Sequence, residues 1–219
     1  MNRIPFDTYD FFGYLASGFL LIVGMELILG FPHVIGQDFN VVNTIMLLLA
    51  MYIAGQLIAT PAKAVLEDFV VSKILGRPSA NLFRNKRPGV RGLVFPGFYK
   101  PLPKEIQTRI HAKAKNDEAP ESGEAFFLHV RYHPQILGNE KLMARLEIFL
   151  NKYGFARNLA FTSLLVGAAL LVKSSKSPDS ELVRYGWTAT VVGVLLFYRY
   201  LKFFRQYSYE MFNTYGGLK

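Results

Sequence analysis

The chain contains no cysteine among its 219 residues. Disulfides, thiolate nucleophiles and cysteine-ligated zinc are therefore excluded, and the composition suits a protein facing a reducing cytosol. Acids are scarce: 16 Asp and Glu stand against 25 Lys and Arg, a net charge of +9. The sequence has no GxxxxGK[S/T] phosphate loop, no GxGxxG fingerprint, no nucleophile–base arrangement and no suggestively spaced carboxylate pair. Those absences lower the expectation of catalysis, and no cofactor is expected.

Apolar residues take the place of charge. The chain is 51% hydrophobic and 15% aromatic, with a mean hydropathy of +0.21, values that fit a small polytopic membrane protein with a modest soluble insert. Residues 10–31, DFFGYLASGFLLIVGMELILGF, are almost wholly apolar and carry no charge apart from Asp10 at the edge and Glu26 within. At about 1.5 Å per residue such a run matches a hydrocarbon core about 30 Å thick. Three further runs, at 41–60, 155–172 and 182–201, give four expected spans. The N-terminus lacks a small-residue cleavage site after its apolar run, so the first span is read as an uncleaved anchor.

The expected fold is thus an all-α membrane protein with four transmembrane helices and a cytoplasmic α-rich insert between helices two and three. Its segments are a first hairpin at 1–61, a stalk and basic insert at 62–154, and a second hairpin with a cytoplasmic C-terminal helix at 155–219. Beyond Pro61, the spacing of Val65, Leu66, Phe69, Val70 and Leu75 predicts an amphipathic helix leaving the membrane. Five Pro and four Gly between 76 and 103 predict an extended loop, with a short strand at 93–95. Residues 104–115 read as a polar helix, 125–132 as either strand or helix, and 138–153 as an amphipathic helix.

Residues 62–157 hold 17 Lys and Arg, whereas the connection 33–40 holds none. The positive-inside rule then puts the insert and both termini in the cytoplasm, and the expected location is a bacterial inner membrane. Gly13, Ser17 and Gly24 leave small surfaces in the first span. Such surfaces favour close helix approach and predict a homo-oligomer within the lipid bilayer.

Three sets of polar residues and one of aromatics stand out. Arg84, Lys86, Arg87 and Arg91 interleave with Pro and Gly in RNKRPGVRG, the best candidate for gripping an anion. The plainer reading, favoured here, is a juxtamembrane loop on anionic lipid, with a nucleotide or nucleic acid less expected. Glu26, Asn43, Gln56 and Arg157 are polar groups in or at the rim of spans. An intramembrane carboxylate is costly enough to suggest function, though Glu26 lies near one end of its span; Asn43 and Gln56 read as interhelical glue, and Arg157 as a residue snorkelling to headgroups. His129 and His133 are spaced i, i+4, which suits a metal on a helix, but a third ligand, Glu124 or His111, is only a guess, so surface or interface histidines and no metal are expected. The aromatics Phe203, Phe204, Tyr207, Tyr209 and Phe212 are expected to pack against the chain's own stalk.

The stretches at 6–19 (FDTYDFFGYLASGF), 151–158 (NKYGFARN) and 199–212 (RYLKFFRQYSYEMF) resemble those of small multi-span inner-membrane components of bacterial anti-phage defence systems. The resemblance implies a membrane module joined to a cytosolic module that senses a signal or recruits a partner, and it assigns no site residue. The functional expectation is a non-enzymatic sensor or effector whose basic insert receives a cytosolic protein partner or anionic ligand, with a homo-oligomeric pore as one output. The alternatives are a passive membrane anchor for a cytosolic partner and a small lipid-modifying enzyme or transporter.

Overall fold

A computed structural model describes residues 8–30, 40–84, 89–120, 122–176 and 179–218. The N-terminal lead-in, the first connection, Lys86 and Arg87 lie outside the described residues. Every regular element among those described is helical. In order they are α1 (Thr8–Leu29), α2 (Val41–Ala62), a π-helical segment (Lys63–Leu75), α3 (Pro78–Asn81), α4 (Gly89–Val94), α5 (Lys104–Asn116), α6 (Gly123–Arg131), α7 (Pro134–Leu137), α8 (Glu140–Lys176) and α9 (Ser180–Tyr215). Among the described residues three helical stretches are long and apolar enough to cross a membrane: Phe11–Leu29, Val41–Asn81 and Glu140–Lys176. α9 is not among them; Arg184 on one side and Arg199 and Lys202 on the other bound its uncharged centre.

The chain divides into two compact units. The first comprises Met1–Phe69 and Gly154–Tyr200. In it α1 lies between α2 and α8. A side chain added at Gly18 would fall 1.7 Å from the Met51 carbonyl oxygen, and one added at Gly55 would fall 1.9 Å from that of Tyr14. The two glycines therefore mark the point where α1 and α2 touch backbone to backbone. A second face of α1, about 100° round the helix, carries Gly13, buried Ser17 and Gly24. Phe155 covers Gly13 and Val166 covers Gly24, both from α8. α8 and α9 approach in the same manner, with Gly167 against Thr190, Gly186 against Leu171, and Gly193 against Leu164. Small residues let helix backbones meet where apolar burial alone gives no preference between a neighbour and lipid. By contrast Ile45, Leu49, Ile53 and Leu57 of α2 remain exposed.

The second unit comprises Val70–Tyr153 and Leu201–Lys219. Its core gathers Leu82, Ile110, Phe126, Ile136 and Leu146 around Met211 and Phe212. The Phe212 ring meets Phe83 edge-on at 4.9 Å and Phe126 at 5.3 Å. The expected packing of the tail aromatics on the stalk is therefore replaced, for Phe212, by insertion into a core built from the short helices.

Three local readings of the sequence change. The strand at 93–95 is instead the C-terminal end of α4 and the turn that follows. A strand there would have had no partner edge, whereas a helix satisfies its own backbone. Residues 125–132 resolve as helix α6, because Phe126 and Val130, four apart, both face the core. The helix at 138–153 and the span at 155–172 are one 37-residue helix, α8. Gly154 within it lowers helix propensity without stopping the helix.

The continuation past Pro61 is helical, as the apolar spacing predicts, but the pairing is π. Proline has no N–H, and its ring crowds the carbonyl four residues back. The wider turn begins two residues later, at Lys63. A π stretch of 13 residues is long for a geometry found mostly as single-turn bulges, which often mark functional sites.

Candidate functional site

The π-helical segment ends at Gly76, which has a φ of +82°, the left-handed cap that glycine takes without a Cβ penalty. Its last carbonyls are satisfied by side chains arriving from the loop that follows. The Tyr99 hydroxyl donates to the Leu75 carbonyl at 2.8 Å. The buried Asn81 amide donates to the Gly76 carbonyl at 2.9 Å, and the Arg91 guanidinium donates to the Ile74 carbonyl. A cation at a helix C-terminus also meets the negative end of the dipole.

Arg91 thus has a structural task that its place in a basic cluster did not reveal. Its charge still counts at the surface, because Arg91 and Arg84 are both exposed. Burial raises the Tyr99 hydroxyl above its ordinary pKa, and the charges of Arg91 and Arg84 pull the other way. Both arginines therefore lie within electrostatic reach of Tyr99. The Lys100 carbonyl, next in sequence, accepts two hydrogen bonds from Arg205, the shorter at 2.7 Å. Arg77 pairs with Glu124. The geometry offers charge and directed N–H donors to an anion, with no nucleophile among these residues.

In the first unit, Arg157 donates from its guanidinium to the Glu67 carboxylate at 2.7 Å. It also donates to the side-chain oxygen of Asn158. Arg157 is therefore held by an ion pair inside the protein, and its partner sits in the π-helical segment. Glu67 was legible as a polar stalk residue, but nothing in the sequence links it to a residue 90 positions away.

The other polar span residues are dispersed. Asn43 and Gln56 are exposed on α2, and the Gln56 amide donates to the Tyr52 hydroxyl at 3.0 Å. Glu26 is half-buried near the C-terminal end of α1. Next to it, the Leu27 carbonyl accepts a hydrogen bond from Lys173 of α8 at 2.9 Å.

His129 and His133 belong to a polar cluster in the second unit. The Tyr215 hydroxyl donates to the Asp117 carboxylate at 2.8 Å. Lys113 lies 3.2 Å from that carboxylate and His133 3.5 Å from it. Burial pushes the Asp117 carboxyl up. Hydrogen bonds from Tyr215 and Lys113, with the charges of Lys113 and His133, outweigh this and hold it below its ordinary value. Burial and the Asp117 carboxylate drive the Tyr215 hydroxyl the other way, well above the usual tyrosine range. Among the described residues no group of three or more metal-ligating side chains is placed to hold an ion. The arrangement is a latch between the last turn of α9 and the end of α5.

The latch has a pH signature. A depressed Asp117 adds stability above the unfolded carboxylate value of 3.8, lost as pH falls through the folded value. A raised Tyr215 adds stability below the unfolded value of 10.0, lost as pH rises beyond it. Tyr215→Phe should cost about 1–3 kcal/mol at neutral pH, the range for a lost hydrogen bond to a charged group. It should also flatten both flanks of a stability–pH curve measured by thermal unfolding.

Comparison with known proteins supplies no relative: no family model matches the chain, and neither a curated protein nor a solved structure does.

Proposed function

We propose that this chain is a four-span, non-enzymatic membrane sensor or effector whose basic unit receives an anionic ligand or an acidic partner on the cytoplasmic side. One observation carries the span count. Residues 70–153 and 201–219 share one core, with Leu82, Phe126 and Leu146 from the first segment around Phe212 from the second. Segments that share a core lie on one side of a membrane. The intervening chain is the apolar part of α8, residues 177–179 and the first part of α9. If α8 crosses the bilayer, α9 must cross back. Arg184 and Arg199 flank its apolar centre and lie within snorkelling reach of headgroups. Trp187 and Tyr198 sit where interfacial aromatics are expected.

The sensing half of the reading rests on continuity. α8 and α9 each contribute residues to both units without a break, and the π-helical segment does the same. A change in how the basic unit packs on α8 or α9 therefore acts on helices that also belong to the apolar unit. The excess of Lys and Arg in 62–157 supports a cytoplasmic orientation.

The absence of native cysteine makes the topology directly testable with single cysteines and a membrane-impermeant maleimide. Gln37→Cys and Lys176→Cys should label in intact cells. Thr108→Cys and Gly217→Cys should label only after permeabilisation. Labelling of Gly217→Cys from outside, with Thr108→Cys protected, would reduce the bundle to three spans and overturn the proposal.

A further inference from the structure

We propose that α4 is an interfacial finger that docks on anionic lipid, with Val90, Leu93 and Val94 entering the headgroup–acyl boundary and Arg84, Arg91 and Lys100 meeting lipid phosphates. The inference rests on the membrane reading above and names the anionic partner of the basic unit.

The three aliphatic residues stand at i, i+3 and i+4, so they share one face of the helix. Val90 is 77% exposed, Leu93 81% and Val94 44%. Apolar exposure this complete on a short helix is unfavourable in water and is relieved by a partly apolar phase.

The finger is presented rigidly. Arg91, on its other side, is tied to the Ile74 carbonyl, and the chain just beyond is tied by Tyr99 to Leu75. Little ordering entropy remains to be lost on docking.

Charge selects the kind of surface. Between Asp68 and Glu105 the sequence has eight Lys and Arg and no acid. Arg84, Arg91 and Lys100 are all exposed. Aliphatic residues flanked by cations with apolar stems form the pattern of an interfacial anchor, in which the stems lie in the boundary and the charges reach phosphate. An acidic protein groove would match the charge, but it would have to be brought to the finger. A bilayer accompanies any chain with membrane spans and is present at high effective concentration.

The test uses the full chain in lipid nanodiscs with an environment-sensitive fluorophore at Leu93→Cys, and a second preparation labelled at Leu49→Cys in α2. With discs containing anionic phosphatidylglycerol, the Leu93 probe should shift to the blue and lose access to acrylamide. With phosphatidylcholine alone it should stay wet. Arg84→Glu with Lys100→Glu should lower the ratio of docked to undocked finger by about thirty-fold or more, from the lost attraction of two cations to an anionic surface. A Leu93 probe equally wet in both lipids, or equally protected in both, overturns the proposal. The Leu49 probe separates the two claims: if it reads hydrocarbon while Leu93 reads water, only the finger is lost; if it too reads water, the membrane reading falls.

Discussion

Gly18→Leu and Gly55→Leu should each abolish a folded, monodisperse protein in detergent, with an expected cost above about 4 kcal/mol, beyond the usual range for point substitutions. The reason is what lies opposite. The Cβ of residue 18 would sit 1.7 Å from the Met51 carbonyl oxygen, and that of residue 55 would sit 1.9 Å from the Tyr14 carbonyl oxygen. Overpacking against a flexible side chain costs about 1–3 kcal/mol because the neighbour can turn aside. A helix carbonyl cannot turn aside without breaking its own hydrogen bond, so the helices must separate along the crossing. Separation removes the close van der Waals contact that holds helices together in lipid. Alanine at either position should already be severe, since the clash begins at Cβ. Gly154→Ala is the control. It lies inside α8 with nothing within 4 Å of the added atom, and it should stabilise by about 0.5–1 kcal/mol through helix propensity. Thermal unfolding followed by fluorescence-detected gel filtration reads all three.

The same crossing shows which parts of the molecule were legible in sequence. The apolar runs were legible because length and lack of charge follow from the thickness of a bilayer, and they locate α1, α2 and the second half of α8. The small residues of α1 were legible as a class, but not by partner. Gly13 and Gly24 meet α8, whereas the tightest approach is made by Gly18 with Gly55. A glycine on a helix announces that something can come near, and only the fold says what.

The polar residues were harder still. Glu67 pairs with Arg157 and Asp117 with Tyr215 across 90 and 98 positions. No periodicity spans such distances. The π pairing after Pro61 left one trace, the proline itself, but an amphipathic apolar pattern does not distinguish 3.6 from wider spacing over three turns. The strand at 93–95 was misread because Leu93, Val94 and Phe95 are good strand formers locally, while the hydrogen bonds of Arg91 and Tyr99 to the π-helical segment bring this stretch against a helix end.

The second large effect falls on the Glu67–Arg157 pair. Their side chains are 17% and 13% exposed, and the guanidinium lies 2.7 Å from the carboxylate. Removing one partner from a largely buried pair leaves the other charge without compensation, at a cost of about 3–5 kcal/mol. Arg157→Ala and Glu67→Ala should each show that loss in thermal unfolding. The pair as a whole is a different matter, because desolvation of two charges offsets most of their attraction. Glu67→Leu combined with Arg157→Met should recover most of the stability lost by either truncation. That non-additivity separates a clamp from a headgroup contact. If Arg157 works by snorkelling to lipid, as its place at the rim of a span suggested, Glu67→Ala should cost little and the double variant should be no better than Arg157→Ala. Hydrogen exchange locates the effect. Glu67 sits within the π-helical segment Lys63–Leu75, whose geometry is intrinsically less favourable than α and which here depends on partners outside it. Loss of the clamp should therefore speed amide exchange in 63–69 before it speeds exchange in 41–60, whereas a general loss of stability would raise both together.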